Sequence, residues 1–199
     1  MKDPPGTDAR PTLDLALTIR HDGQGGLADD LADPHGLTAW VRAHPSVVPH
    51  ADLYLADAAV LAAVHDLRAA VRALFTRAVR PAEPSPADAG RLMPVADAVE
   101  RLNAEAARTP TVPAPNWDED AEPVVRRRAV SGPGEPTPAL AQAAIAFLAG
   151  PDRLRLRACH APRCVRYFLR EHLRQEWCKP SCGNRARVAR HHDRHRKTA

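Results

Sequence analysis

Aromatic residues and lysine are scarce in this chain, and cysteine is confined to one end of it. Phe, Trp and Tyr together make up 4% of the 199 residues, whereas 44% are apolar and 26% are charged. This composition is typical of a globular protein whose core is mainly aliphatic. Arginine supplies 25 of the 28 basic residues, so an isolated arginine says little about function.

Long hydrophobic runs are also absent. No stretch approaches the roughly 20 apolar residues that a membrane-spanning helix requires, and the start, MKDPPGTDARPT, lacks the apolar segment of a signal peptide. We therefore expect a cytoplasmic protein with no membrane partner. Disulfides are rare in that reducing compartment, which leaves metal binding or redox chemistry as roles for the cysteines.

Familiar catalytic motifs are missing as well. The sequence contains no HExxH, GxSxG, Walker A or dinucleotide-binding pattern. The turn HDGQGG is rich in glycine, but no GK[ST] follows it, so we interpret it as a plain loop. We expect the protein not to be an enzyme.

Charge is distributed unevenly along the chain. Residues 151–199 contain 14 Lys and Arg against 4 Asp and Glu, a net charge of +10, whereas residues 1–150 contain 14 against 20, a net charge of −6. A basic segment joined to an acidic body predicts an anionic partner for the basic segment. The alternative is a basic surface that is simply solvated.

The patterning predicts an α+β fold, with a mostly helical N-terminal domain over residues 1–150, a few short strands, and a small domain over residues 151–199. We expect Trp40, Phe75 and Phe147 in the core. Periodicity predicts, in chain order, a strand over LDLALTIRH, a helix over DPHGLTAWVRAHP, a helix over 51–80, a helix over 85–107, a hairpin around WDEDAEP, and a helix over 137–148 that ends at Gly150. Capping signals place Ser85 and Thr137 at the starts of the last two helices. In the helix over 85–107 the residues predicted to face inward are Leu92, Val95, Val99 and Leu102.

All four cysteines lie in the second domain, with the spacing C-x4-C-x13-C-x3-C. Two short-spaced pairs separated by such a loop can fold back to supply four thiolates to one tetrahedral Zn²⁺. A strand leading into the first pair, a return strand, and a helix from Asn184 to about Lys197 would form a treble-clef-like or ribbon-like finger. Four protein ligands leave no open position, so we expect a structural site. The predicted ligands are Cys159, Cys164, Cys178 and Cys182.

Other uses of the cysteines remain open at this point. A thioredoxin-like redox pair has the spacing C-x-x-C, which neither pair shows. His191 and His195 form an H-x3-H that could replace two of the sulfur ligands. In a helix that starts at Cys182, however, these histidines lie at least about 13 Å along the axis.

The run WCKPSCGNRARVARHHDRHR resembles the signature of the CGNR zinc-finger family. In that family an upstream cysteine pair and a tryptophan–cysteine pair precede Cys-Gly-Asn-Arg and a basic helix. The body resembles the ABATE-type domain that accompanies this finger, through LDLALTI, the glycine-containing turn, LADPHGLTAW and the long helices. The resemblance implies a stress-linked bacterial transcription regulator with a zinc finger. The positions that match the finger's signature are Cys159, Cys164, Trp177, Cys178, Cys182, Gly183, Asn184 and Arg185.

The last helix concentrates arginine at spacings of three and four residues, which places these side chains on common stripes. Each guanidinium can offer two parallel hydrogen bonds to a phosphate. We predict that the helix binds nucleic acid, DNA rather than RNA, while Val188 and Ala189 face the zinc knuckle. The predicted nucleic-acid-binding residues are Arg185, Arg187, Arg190, Arg194 and Arg196.

Four residues near the finger have two possible roles each. Asn184 and Arg185 are of the types that read adenine and guanine edges, but they can also brace the loop around the metal ligands. Trp177 and Tyr167 could stack on bases, although beside the sulfurs of a small finger we expect them to cover the metal site.

Two functions fit these observations. In the first, the protein is a transcription regulator whose acidic body senses a partner or ligand, or forms a homodimer, while the finger binds DNA. In the second, the finger presents its basic helix to an acidic protein partner.

Overall fold

Six α-helices and three two-stranded antiparallel sheets make up the described part of the chain. The computed structural model describes residues 10–24, 26–48, 50–88, 90, 92–117, 119, 122–130 and 135–198. The mostly helical α+β fold is as predicted. None of the described helices combines the length and apolarity needed to cross a membrane. The helices are α1 (Arg10–Leu17), α2 (Pro34–Ala43), α3 (Ala58–Ala78), α4 (Val95–Ala107), α5 (Pro136–Ala149) and α6 (Pro180–Thr198), and the strand pairs are β1 (Ile19–His21) with β2 (Leu27–Asp29), β3 (Thr111–Asn116) with β4 (Val124–Ala129), and β5 (Leu156–Ala158) with β6 (Tyr167–Leu169).

Helix α3 lies at the centre of the core and packs against α1, α2, α4 and α5. It is shorter than the predicted helix over 51–80, because Asp57 accepts a 2.8 Å hydrogen bond from the Val60 amide and caps the helix there. Residues 51–53 form a separate 3-10 turn. The ring of Phe75 contacts those of Phe147 and Tyr167 at centroid distances of 5.2 and 5.3 Å. Phe75 and Phe147 are buried as expected, and Trp40 is partly buried against the same core.

The predicted strand over LDLALTIRH is largely wrong, because its first part is helix α1 and only Ile19–His21 is a strand. The buried residues of α1 are Pro11, Thr12, Leu15 and Ala16, which recur at helical spacing. The alternating leucines suggested a strand, but Thr12 and Ala16 supply the small side chains with which the helix packs on its neighbours.

The predicted helix over 85–107 begins ten residues later than expected. Ser85 is fully buried, and its Oγ donates to the carbonyl of Val165 at 2.8 Å, so it caps no long helix. Only a 3-10 turn, Pro86–Asp88, follows it before α4 starts at Val95. The face of α4 that meets the core carries Ala98 and Leu102, while the predicted inward residues Leu92, Val95 and Val99 are exposed.

Three other predicted elements are present with small changes. Helix α2 is capped by Asp33, which accepts from the Gly36 amide at 2.8 Å. Helix α5 ends at Gly150 as expected, but its N-cap position is Glu135, and Thr137 is buried inside the helix. The predicted hairpin forms between β3 and β4.

A buried polar network joins the last sheet to the helical body. The Tyr167 hydroxyl donates to Asp88 at 2.6 Å, and the guanidinium of Arg72 donates to both carboxylate oxygens of Asp88 at 2.8 and 3.0 Å. Burial, and then the bond to Asp88, raise the pKa of Tyr167, so this phenol stays protonated as a donor. Tyr167 therefore belongs to the main core, and the expectation that it covers the metal site is wrong.

Candidate metal centre and basic helix

Four cysteine sulfurs converge at the end of the chain that follows β5. All four Sγ atoms lie within 4.8 Å of one another, and two neighbouring pairs, Cys164–Cys178 and Cys178–Cys182, are 3.7 and 3.5 Å apart. A tetrahedral zinc ion with bonds of about 2.3 Å would separate its sulfur ligands by about 3.8 Å. The site therefore has the size that a four-thiolate metal centre needs.

The first pair of cysteines lies in the turn between β5 and β6. The Cys159 amide donates to the Arg166 carbonyl, and the Cys164 amide donates to the Ala161 carbonyl, both at 2.9 Å. Arg163 has a φ of 62°, the left-handed conformation that lets so short a turn close on itself. Both sulfurs are buried by this turn.

The second pair lies at the start of α6. The carbonyl of Lys179 accepts hydrogen bonds from the amides of Cys182 and Gly183 at 3.0 and 3.4 Å, and α6 opens at Pro180, which suits a first turn. Cys182 thus lies in the first turn of α6. The partly positive amino end of the helix stabilises negative charge on its sulfur.

Trp177 lies beside the candidate metal centre and explains the glycine after Cys182. A Cβ atom on Gly183 would lie 3.0 Å from Cδ1 of the indole, closer than side chains normally approach. Glycine at this position lets the ring pack on the first turn of α6. Trp177 also contacts the cluster of buried cysteines.

Asn184 and Arg185 both make contacts within the finger. The guanidinium of Arg185 donates to Sγ of Cys182 at 3.1 Å, which places a positive charge beside a metal-ligand candidate. The side-chain oxygen of Asn184 accepts from Arg187, so it orients an arginine rather than the loop that binds the metal.

The thiols perturb one another strongly at these distances. The pKa of Cys159 is lowered, first of all because Cys164 donates a hydrogen bond to it, and the pKa of Cys178 is raised, first of all because of its bond to Cys159. All four groups can be thiolates together only when a cation neutralises them. A buried dication fits this donor set.

The rival sites that involve histidine find no support in the structure. Within the described residues, the group that could hold a metal consists of four cysteines. His191 is exposed and lies nine positions beyond Cys182 along α6, while the side chain of His195 lies outside what the structure describes. All four cysteines are free thiols, so neither pair is a disulfide.

Family models match both parts of the chain. Residues 9–151 match the ABATE model, described as "Putative stress-induced transcription regulator", and residues 155–195 match the CGNR zinc finger. This chain belongs to the ABATE family. The resemblance that the sequence suggested is thereby confirmed for both the ABATE body and the CGNR finger. No curated protein matches the chain.

Helix α6 carries the finger's arginines away from the metal centre. In this ABATE-family chain the helix runs 16 residues beyond Cys182, which is about 24 Å at 1.5 Å per residue. The structure does not bring all five predicted nucleic-acid-binding residues together, because Arg185 contacts Cys182 while the others lie further along the helix. The four arginines exposed on this distal part are Arg187, Arg190, Arg194 and Arg196.

The residue of α6 that faces the metal centre differs from the prediction. Ala186 is 5% exposed, whereas Val188 is 56% exposed, so Val188 does not pack on the metal centre. Ala186 lies four positions after Cys182 and therefore on the same face of the helix. The four-residue spacing from Cys182 is therefore the sequence signal that could have identified Ala186 as the residue facing the metal centre.

Proposed function

We propose that this ABATE-family chain is a transcription regulator that binds DNA through α6. The observation that carries the proposal is the row of exposed arginines on a helix whose first turn is part of the metal centre. A helix of this kind fits the major groove of DNA, which is about 12 Å wide. The family description as a stress-induced transcription regulator supports the same function.

The charge and spacing of α6 suit contact with a phosphate backbone. Arg187, Arg190 and Arg194 follow one another at intervals of three and four residues, so they line one side of the helix over about 10 Å. Arg190 and Arg194 donate from Nε to carbonyls of the preceding turn at 3.4 and 3.3 Å, which directs these side chains along the helix. A row of guanidinium groups can contact successive phosphates without reading bases.

The metal that we propose for the centre is Zn²⁺, held by Cys159, Cys164, Cys178 and Cys182. Zinc prefers tetrahedral sulfur ligation, and the distances between the thiols are of that size. With four protein ligands the ion supplies no open position for a substrate, so its role is to fix α6 to the strand pair β5–β6. We assign Arg185 and Trp177 to the support of this centre, because both contact it.

The remaining expectations follow from this function. We propose that residues 1–150 form a sensing domain, which could also form a homodimer, and that residues 151–199 form the DNA-binding domain. We further propose that the protein works in the bacterial cytoplasm, where the DNA is, and is not an enzyme. The second candidate is that α6 binds an acidic protein partner, and the experiment below separates the two.

The test is fluorescence anisotropy with labelled duplex DNA at several salt concentrations. If the four exposed arginines of α6 neutralise about four phosphates, the slope of log K against log salt is about −3.6, and a double variant R190Q/R194Q reduces the steepness of the slope by about two. The matched control is R153Q/R174Q, which removes two exposed arginines from residues 151–199 outside α6. The DNA proposal would be overturned if the control variant bound duplex DNA as weakly as the α6 variant. It would also be overturned if the native protein bound no duplex at low salt.

A further inference from the structure

A cleft of about 320 Å³ lies between the β1–β2 hairpin and the finger. Its walls come from three parts of the chain that are far apart in sequence: the hairpin, the turn around Cys164, and the start of α6. The six side chains that give the cleft its basic character are Arg20, His21, Arg163, Arg166, Lys179 and Arg185.

Much of the positive charge in this cleft has no carboxylate partner within the described residues. None of the described residues that line it is Asp or Glu. Arg20 forms an exposed ion pair with Asp30 at 2.6 Å, and Arg185 donates to Cys182. The side chains of Arg163, Arg166 and Lys179, by contrast, make no ion pair or hydrogen bond within the described residues.

Convergent cations of this kind repel one another unless an anion lies between them. The repulsion lowers when an anion enters, because each cation then gains a partner at short range. Guanidinium groups bind the oxygens of a phosphate in pairs, and the ammonium of lysine binds them as a point charge. The chemistry of the lining therefore suits an anion such as a phosphate group.

Hydrogen bonds anchor both walls of the cleft. On the hairpin side, Arg68 donates to both carboxylate oxygens of Asp29 at 2.6 Å and to Thr18 at 2.8 Å, and Arg68 and Thr18 are buried. The loop of the hairpin is tied by Asp22, which accepts from the amides of Gln24 and Gly26 at 2.7 and 2.9 Å.

On the finger side, two buried hydrogen bonds fix β6 against the helical body. Tyr167 donates to Asp88, and Ser85 donates to the carbonyl of Val165. The cations on the two walls therefore face each other without a need for large rearrangement. A preformed site of this kind loses less entropy when a ligand binds.

We propose that this cleft binds a small molecule through a phosphate group, so that the ligand bridges the ABATE body and the finger. A volume of about 320 Å³ is at the lower end of small-molecule sites, which suits a phosphate or diphosphate and a small attached group. A small ligand is favoured over a duplex because the site is a concave space between two units, away from the distal arginines of α6. The proposal does not depend on DNA binding.

The test is isothermal titration calorimetry of the full-length, metal-loaded protein with inorganic pyrophosphate, and with orthophosphate for comparison, at low ionic strength. We expect saturable binding of one pyrophosphate per chain, and we expect R166Q and K179Q each to weaken it about ten-fold, the loss of one charge-assisted contact. The matched control is R174Q, which removes an exposed arginine that does not line the cleft and changes the dissociation constant less than about two-fold. Metal content and circular dichroism of each variant, before and after titration, show that the finger stays intact.

The outcomes separate the sources of the phosphate. Selective loss of pyrophosphate binding in R166Q and K179Q supports the proposal. Equal weakening by R174Q indicates attraction by overall charge and overturns it, as does the absence of saturable binding to the native protein. If a short duplex displaces pyrophosphate and both variants weaken the duplex equally, the phosphate belongs to DNA, and the small-molecule assignment is overturned while DNA binding stands.

Discussion

The chain has two tyrosines with buried hydroxyl groups. Tyr167 can be used to measure how much the junction between the body and the finger contributes to stability, and Tyr54 is the matched control. The hydroxyl of Tyr167 donates to Asp88 at 2.6 Å and also lies within hydrogen-bond distance of Thr76, at 3.2 Å. The hydroxyl of Tyr54 is buried too, but within the described part of the chain it has no hydrogen-bond partner. Removal of the hydroxyl should therefore have opposite consequences at the two positions.

The expected loss in the Tyr167→Phe variant follows from the bond to a charged acceptor. Such a hydrogen bond contributes about 1.5–3 kcal/mol, and its removal leaves Asp88 with the two bonds from Arg72. In a protein of this size each kcal/mol corresponds to about 2–4 °C in melting temperature, so the variant should melt about 3–12 °C lower. Tyr54→Phe removes an unsatisfied polar group and should be neutral or slightly stabilising.

The assay is urea unfolding followed by circular dichroism, with thermal melting as a second measure. Both variants are made in the full-length, metal-loaded protein, so that the finger is intact at the start. The reasoning is refuted if Tyr54→Phe loses as much stability as Tyr167→Phe, or if Tyr167→Phe loses less than about 0.5 kcal/mol, the range of ordinary surface substitutions.

Two further predictions concern the metal and pH. Chelation of the metal should expose the backbone amides of α6 to hydrogen exchange while those of α3 stay protected, because metal ligation supplies about 10–16 kcal/mol in isolated fingers. Cys178→Ser should expose the same amides, and added Zn²⁺ should restore protection only in the native protein. Unchanged hydrogen exchange in α6 after chelation would contradict a structural role for the metal. Burial tends to raise the pKa of Asp29, but the hydrogen bonds from Arg68 and the Leu31 amide outweigh it and lower the pKa below the ordinary value of 3.8. The stability that this carboxylate contributes is therefore present above pH 3.8 and lost as the pH falls below it. Asp29→Asn should be less stable than the native protein in urea at pH 7, and the gap should narrow below about pH 3.8; a gap that stays constant with pH would show that the carboxylate charge is not the cause.

Most of the finger could be predicted from the sequence, because its signals are local. The spacing of Cys159, Cys164, Cys178 and Cys182 limits how their sulfurs can meet, and the run that follows Cys182 has no proline or glycine after Gly183 to interrupt a helix. The distances among the four sulfurs agree with that expectation. The last helix of the ABATE body could be placed for the same reason, since Gly150 marks its end.

The predictions for Ser85 and Leu15 were wrong because contacts with distant parts of the chain decide the structure there. Ser85 has the residue type of a helix cap, but its hydroxyl bonds to Val165, which is 80 residues away. Leu15 belongs to an alternating pattern, yet it lies in a helix because α1 packs on α3 and α5. Local propensity is weak compared with the free energy of burying such side chains, so tertiary contacts override it.

By itself, the sequence determined that four thiols could bind one metal ion and that an arginine-rich helix follows them. Only the tertiary structure decided that Tyr167 joins the core of the helical body and that Arg20 faces Arg166 and Lys179 across one cleft. The physical reason is the range of the interactions. Ligand spacing and helical periodicity are set by neighbouring residues, whereas a cleft between two units exists only after burial of the core has fixed both of its walls.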